Sequence, residues 1–375
     1  MTPHRESWLE NRAHLWIIIA YALIAASMAL QRGVLGPHHH TYTDFRDSFY
    51  HLIRHQDLYA HYAAQGPDLF KYSPAFALLF APFALPPYAL GLLFWNLCNV
   101  FALYFALRAL LPRREAGLGG LLLIPEVLAA TQASQSDTLV AALIILAFAM
   151  TERDRPLGAA AAIATGTAIK LFPLAALGFA LFQPRPWRTL LLTLATIAAL
   201  AILPLLVLSP HELVAQYQAW VHLMRVDTLA RGQSVMGLLA TAIPGAWPNW
   251  PVQLLGTLLF LAPLALRRDR WREPRFRLLF LASLLVYAVI FNHRAERSSF
   301  VIAVAGIVIW YVTGRATLWR TALLVLSSVG LLAPPCIVAW IAIQLDLLRS
   351  LPSARPAPHA TFAEAPLTRA SSSAG

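Results

Sequence analysis

Long apolar runs alternate with short polar connectors along most of the chain. The clearest runs are 14–31, 87–111, 117–131, 138–151, 189–208, 252–266, 278–292, 299–313 and 318–345. A bilayer core about 30 Å thick takes about 20 apolar residues as one helix, and a backbone in lipid must satisfy its own hydrogen bonds. The pattern therefore predicts an all-α polytopic integral membrane protein with about 10–12 transmembrane helices. The stretch 157–182 is interrupted by Lys170 and Pro173 and reads either as one kinked helix or as two short ones. The first run has basic residues ahead of it and small residues near its end, as a signal peptide has, but the many later spans favour an uncleaved first helix.

Between the first and second spans lies the longest segment that is not apolar, 32–86, too long for a mere connector. Within it, Asp44 to Tyr59 sets Phe45, Phe49, Leu52 and Ile53 on one helical stripe and Asp44, Ser48, His51 and His55 on another. This predicts an amphipathic helix with Asp44 and Asp47 at its start, where Asp44 would serve as an N-cap. Ser73 to Leu85, closed by Pro86-Pro87, predicts a second interfacial or re-entrant helix, and 210–226 a third. The organisation that follows is one membrane-embedded domain, 1–348, with extracytoplasmic loops at 32–86 and 209–234 and a disordered Ser/Ala/Pro-rich tail at 349–375.

Charge fixes the orientation. The connectors at 112–116, 152–156, 183–188, 267–277 and 314–320, with the N-terminus, hold 16 arginines. The facing segments 31–73, 209–234 and 292–298 hold eight basic residues spread over far more chain. By the positive-inside rule the arginine connectors are cytoplasmic, provided 157–182 crosses twice. The same rule accounts for the net charge of +11 without nucleic acid. With 58% hydrophobic and only 13% charged residues, the chain lacks the charged skin of a soluble domain. Cys98 and Cys336 lie in apolar runs without nearby metal ligands and read as small core residues.

Ionisable residues kept near the membrane are candidates for function. Asp44, with Asp47 beside it, could take a proton from an acceptor hydroxyl. Lys170 is one of two lysines and the only one in the hydrophobic body, placed to hold a lipid phosphate or simply to snorkel. His293, Arg294 and Glu296 fall between two spans; the first two suit a phosphate and Glu296 could orient a ligand, though a solvated turn has the same composition. Gln132, Gln135, Asp137 and Gln233 mark further polar outer turns able to hydrogen-bond sugar hydroxyls. The run His38-His39-His40 does not share one helix or strand face and is not read as a metal site. No phosphate-binding loop, dinucleotide fingerprint or nucleophile elbow is present, so no cofactor is expected; a divalent metal is neither required nor excluded.

The order of short motifs resembles a family. It runs Thr43-Asp44-Phe45, Asp57-Leu-Tyr59, Asp68-Leu-Phe-Lys-Tyr72-Ser-Pro74, Phe76-Ala-Leu-Leu-Phe-Ala-Pro82, Trp95-Asn96-Leu-Cys-Asn99, Thr131-Gln132-Ala-Ser-Gln135-Ser-Asp137, Ala168-Ile-Lys170-Leu-Phe-Pro173 and Gly232-Gln233-Ser234. Over roughly 40–310 this resembles glycosyltransferase family 87, the polyprenyl-phosphate-mannose-dependent type with the GT-C membrane fold. The resemblance implies inverting transfer of a mannose or another hexose or pentose from a polyprenyl-phosphate donor to a lipid or glycan acceptor. The transfer would occur on the extracytoplasmic side of a bacterial inner membrane. It places the family's proposed base on Asp44, with Asp47 as backup, its donor-phosphate histidine on His293 and its Lys-Leu-Phe-Pro lysine on Lys170. The segment 131–137 departs from the family's Gly-Gln-x-Asn. A transporter or flippase of lipid-linked sugars is the alternative, but it would set its charges near the midplane rather than at one face.

Overall fold

The computed structural model describes residues 3–38, 40–62, 69–226, 231–329 and 333–349. Helices account for all regular structure among them. In chain order they are α1 (Pro3–Leu30, extended by a π turn at Gln31–Leu35), α2 (His40–Ile53), α3 (Pro74–Leu79), α4 (Ala81–Ala84), α5 (Tyr88–Leu110), α6 (Arg113–Leu122), α7 (Ile124–Gln132), α8 (Asp137–Glu152) and α9 (Pro156–Ile169). A 3-10 helix, Phe172–Phe182, follows. The chain continues with α10 (Pro186–Ile202), α11 (Pro210–Val226), α12 (Val235–Ala242), α13 (Trp250–Leu266), α14 (Pro274–Ile290), α15 (Phe300–Val312), α16 (Leu318–Ser328) and α17 (Ala333–Leu348).

Among the described residues three helices are long and apolar enough to cross a membrane: Asn11–Leu35, Tyr88–Leu110 and Pro186–Leu206. The shorter apolar helices pack against these and one another. α15 is buried along almost its whole length, and α14 along most of it. α10, by contrast, leaves Leu190, Leu191, Leu194 and Ile202 on the outer surface. Outward leucines around a buried apolar centre are what a lipid solvent requires.

The arginine connectors meet at one end. Arg277 at the start of α14 forms a bidentate pair with Glu152 at the end of α8 (2.7 Å on both arms). Gln183 donates to the Thr151 carbonyl (2.7 Å), and Arg153 to the Ala109 carbonyl. Arg267 reaches the Leu348 carbonyl at the end of α17. These bonds decide how 157–182 runs. Since residues 151–153 and 183 touch, α9 leaves the arginine end and the 3-10 helix returns to it. The turn between them is tight: a Cβ on Gly166 would sit 2.9 Å from the Pro173 ring, so only glycine fits. Taking α6 and α7 as one leg, twelve legs then alternate between the two ends among the described residues, and α17 finishes at the arginine end.

One expected span is broken, and a run that reads as either one span or two proves to be two. The run 117–131 divides at Leu123, because Pro125 at the second position of α7 lacks the N–H that would continue the helix. The run 318–345 is the separate helices α16 and α17, with Pro334 and Pro335 in the first turn of the latter.

The loop helices form a cap over the end opposite the arginines. Phe45 of α2 meets Tyr72, Phe76, Phe80 and Trp95 edge-on, with ring centroids 4.8–5.8 Å apart. α11 clasps the first loop: the Gln216 side chain bonds Leu58 N (3.1 Å) and the Gln56 carbonyl (2.8 Å), and Trp220 Nε1 donates to the Lys71 carbonyl (3.1 Å). The expectation that α2 starts at Asp44 is corrected. It starts at His40, placing Asp44 in its second turn rather than at its cap, and it ends where His55 takes a positive φ of 58°. Asp44 and Ser48 also face inward with Phe45, Phe49 and Leu52, because the helix is covered on that side by α3 and α4. Of the triple histidine, His38 stacks on Tyr88 (3.7 Å) and His40 opens α2, while His39 lies outside the described residues. Asp68 and the tail from residue 350 also lie outside them.

Candidate active site

Lys170 terminates α9 in extended backbone just before the 3-10 helix, so its ammonium leaves the helix end and turns inward. It meets Asp137, the first residue of α8, in an ion pair whose carboxylate is almost wholly buried. Burial works against the ammonium, but Asp137, Tyr72 and Glu296 outweigh it, and the Lys170 pKa is raised. The second Asp137 oxygen accepts from Ser298 Oγ at 3.3 Å. Sequence distance hides this pair, which exists because α8 and α9 are antiparallel neighbours.

Tyr72 lies across from it. Its hydroxyl donates to Gln135 Oε1 (3.0 Å), and its carbonyl accepts from Tyr59 Oη (2.8 Å). Burial raises the phenol's pKa, so Tyr72 remains a neutral donor in the field of Lys170 and Asp137. Ser73 Oγ donates to the Ala168 carbonyl (2.6 Å), tying the first loop to the end of α9. Phe45 touches Tyr72, so α2 packs on the same cluster, and Asp44, the residue before Phe45, is buried. Asp47, one turn on, is half-buried beside His51.

The turn between α14 and α15 closes the other side. Gly232 N donates to the His293 carbonyl and Gln233 N to the Ala295 carbonyl, each at 2.7 Å. A Cβ on Gly232 would lie 2.3 Å from the Ala295 oxygen, so this approach needs glycine. Gln253 of α13 places its amide nitrogen 3.4 Å from the Phe291 carbonyl and 3.2 Å from His293 Nδ1. A carbonyl only accepts, so the group there is the NH2, and Nδ1 must be the accepting nitrogen. That leaves Nε2–H as a donor on a half-buried imidazole, which burial holds below the usual histidine pKa. Arg297 forms a bidentate pair with Glu126 of α7 (2.5 and 2.9 Å), whose side chain is fully buried.

Lys170, Asp137 and Gln135 thus come together, His293 and Arg294 stand on the adjoining turn, and the other candidates serve differently. The Glu296 side chain is exposed and accepts from the Ser299 backbone in a capping box that opens the short 3-10 turn Arg297–Ser299 just ahead of α15. Gln233 contributes its backbone N–H while its side chain points outward, and Gln132 is exposed at the end of α7. Glu126, Tyr72, Gln253 and Ser298 are the residues that sequence reasoning passes over. For Glu126 a signal exists: it is a carboxylate inside the apolar run 117–131. No three His, Cys, Asp or Glu side chains gather as a metal site among the described residues.

Fold and site together define a helical membrane protein whose candidate site residues gather at the end away from the arginine connectors. The glycosyltransferase family 87 model matches residues 70–292, more than half of the chain, and the chain belongs to that family. The matched segment holds Tyr72, Glu126, Asp137, Lys170 and Gln253; Asp44 and His293 lie outside it. Among solved structures, the apo oligosaccharyltransferase of Archaeoglobus fulgidus is similar at 12% identity and a TM-score of 0.46, covering 90% of this chain and 57% of that one. The chain thus spans a little over half the length of that enzyme. No curated protein matches.

Proposed function

We propose that this glycosyltransferase moves a sugar, with inversion, from a polyprenyl-phosphate donor to a lipid or glycan acceptor at the extracytoplasmic face of a bacterial inner membrane. The observation that carries this reading is the Lys170–Asp137 pair at the break between two legs, at the end away from the arginine connectors. A lipid phosphate needs a cation at the outer interface, and a family glycosyltransferase without a nucleotide-binding fold needs a donor activated elsewhere. The GT-C class implied by the family suits this chemistry.

In this reading the acceptor oxygen bonds to the anomeric carbon as the bond from that carbon to the phosphate oxygen breaks. The electron pair leaves with the polyprenyl phosphate, and the acceptor proton passes to the Asp44 carboxylate. Lys170 stabilises the charge that grows on the phosphate, and Asp137 keeps the ammonium aimed and protonated. Neutral His293 donates from Nε2 and Arg294 supplies a further cation. Gln135 and Tyr72 are left to hold sugar hydroxyls.

The test is transfer of radiolabelled sugar from polyprenyl-phosphate-mannose, and from other polyprenyl-phosphate sugars, to a membrane lipid extract by wild type and Asp44→Asn. Transfer by wild type that falls at least about a hundredfold in a folded variant supports Asp44 as base. Transfer that survives moves the base to Asp47, and no transfer from any such donor removes the reading.

A further inference from the structure

At the arginine end, away from the candidate active site, a notch of about 20 Å3 lies between the start of α14 and the end of α17. Arg270, Glu273 and Arg275 line it on one side, Asp346 and Arg349 on the other. Both carboxylates are already answered. Glu273 accepts from Arg270 Nη1 (2.9 Å), while Asp346 accepts from Trp310 Nε1 (2.9 Å) and pairs with Arg320 at 3.4 Å. Among the described residues no acidic side chain pairs with Arg275 or Arg349. Arg270 Nε is buried 3.7 Å from Asp269 and has no hydrogen-bond partner there. Arg275 also stands close enough to Arg320 for the two like charges to repel. We propose that this notch holds the phosphate of an anionic phospholipid of the phosphatidylglycerol type, with its acyl chains along α17.

Charge, size and surroundings agree on that occupant. Guanidiniums left without carboxylates call for an anion, and their planar forks match phosphate oxygens with paired N–H bonds. The space is about what one water-sized group fills, so it admits the oxygens of one phosphate and excludes a sugar or a nucleotide. The chains follow from α17. Val338, Ile341 and Leu345 are 52, 48 and 42% exposed and succeed one another at helical spacing on one face. Arg349 N donates to the Leu345 carbonyl (2.9 Å), so the last turn carries Arg349 to the foot of that stripe. An apolar stripe that ends in an arginine beside a polar notch matches acyl chains that end in a phosphate, and a free phosphate would leave the stripe unused. The headgroup follows from the carboxylates. The ammonium of phosphatidylethanolamine would need one of them, and Glu273 and Asp346 are both occupied, whereas a glycerol headgroup needs neither. The walls are held together as well, since α14 packs along α17 and Arg267 donates to the Leu348 carbonyl.

The test uses the full-length protein in detergent, stripped of lipid, and native mass spectrometry with phosphatidylglycerol, phosphatidylethanolamine of the same acyl chains, and inorganic phosphate. An arginine near a lipid surface adds about fivefold to anionic-lipid affinity, so two of them should make phosphatidylglycerol bind about twenty-five-fold tighter than phosphatidylethanolamine. The double variant Arg275→Gln, Arg349→Gln should abolish that preference. Arg188→Gln, which removes an exposed arginine at the same end but outside the notch, should keep it. Should the double variant fail to fold, wild type decides by photo-crosslinking: phosphatidylglycerol with a diazirine on its glycerol headgroup should label 268–279 and 345–349. Equal binding of the two lipids, a preference that survives in the folded double variant, or one that falls as far in Arg188→Gln would overturn the proposal. So would labels outside both segments, and displacement of the lipid by an equal concentration of inorganic phosphate would make the notch a site for the free anion instead.

Discussion

Both ends of this molecule bury ionic groups, yet they bury them in different company. At the arginine end the partners are ends of helices. Arg277 and Glu152 join the connectors of α14 and α8, and Arg267 closes on the last carbonyl of α17. Arg320 lies over the Trp310 ring (3.9 Å) beside Asp346, which accepts from Trp310 Nε1 (2.9 Å). Such contacts knit legs together, and the cations are guanidiniums with planar forks suited to fixed geometry. At the opposite end a lysine, a compact point charge, meets a carboxylate at a helix break among hydroxyl and amide groups. A pair of that kind is poorly suited to locking topology and well suited to handing its cation to a phosphate. The comparison therefore sets ion pairs that join helix ends apart from the one pair to which the proposed function gives a role in chemistry.

The sharpest break in that comparison is at Lys170. Lys170→Met strands a buried carboxylate and should cost about 3–5 kcal/mol of stability as well as sugar transfer. The double variant Lys170→Met, Asp137→Leu removes both charges and should regain most of the stability while transfer stays absent. Thermal unfolding in detergent beside the transfer assay checks both. A double variant that regains activity would show the pair to be structural, like those at the other end.

The next contrast sets Arg297→Gln against Arg277→Gln. Each breaks a bidentate pair, and each should cost about 1–3 kcal/mol by leaving a carboxylate under-satisfied. Only Arg297 sits on the turn that bears His293, Arg294 and the Asp137 partner Ser298. Its loss should lower transfer per folded molecule by about 10–100-fold through misplacement of these groups. Arg277→Gln should leave that rate unchanged. Equal rates for the two would place Glu126–Arg297 with the structural pairs.

How much of this was legible in the chain follows from the same division. Apolar runs and arginine spacing carry the legs and their alternation, because bilayer thickness and charge asymmetry act locally on sequence. Lys170 is legible for that reason: a lone lysine in an apolar body is costly and therefore conspicuous. Its pairing with Asp137 is not, since it depends on which helices become neighbours. Pro125 breaks an apolar run whose composition alone reads as continuous. Asp44 reads as a cap until α2 is seen to begin four residues earlier and to turn that carboxylate inward. Glu126 was visible as a charge within a span, but the bidentate arginine that explains it lies 171 positions away.

The smallest expected effect concerns protons. At the arginine end the guanidiniums keep their charge throughout the working range, whereas His293 carries a pKa depressed by burial, and its Nδ1 is occupied by the Gln253 amide. An unfolded chain protonates this imidazole near its ordinary value of about 6.5, and the folded protein does so only at lower pH. Between those two values the unfolded state binds more protons, so stability present above about pH 6.5 is lost as pH falls through the folded value. His51, also depressed by burial, acts in the same direction, so wild type must be compared with His293→Gln rather than read alone. The melting temperature of wild type should be level from pH 8 to 7 and drop below about pH 6.5, with a shallower drop in His293→Gln. Transfer should follow the neutral form, since the assigned role is a donated Nε2–H. Activity that instead rises on acidification in wild type, and not in the variant, would make His293 a cation to the phosphate and align it with Lys170.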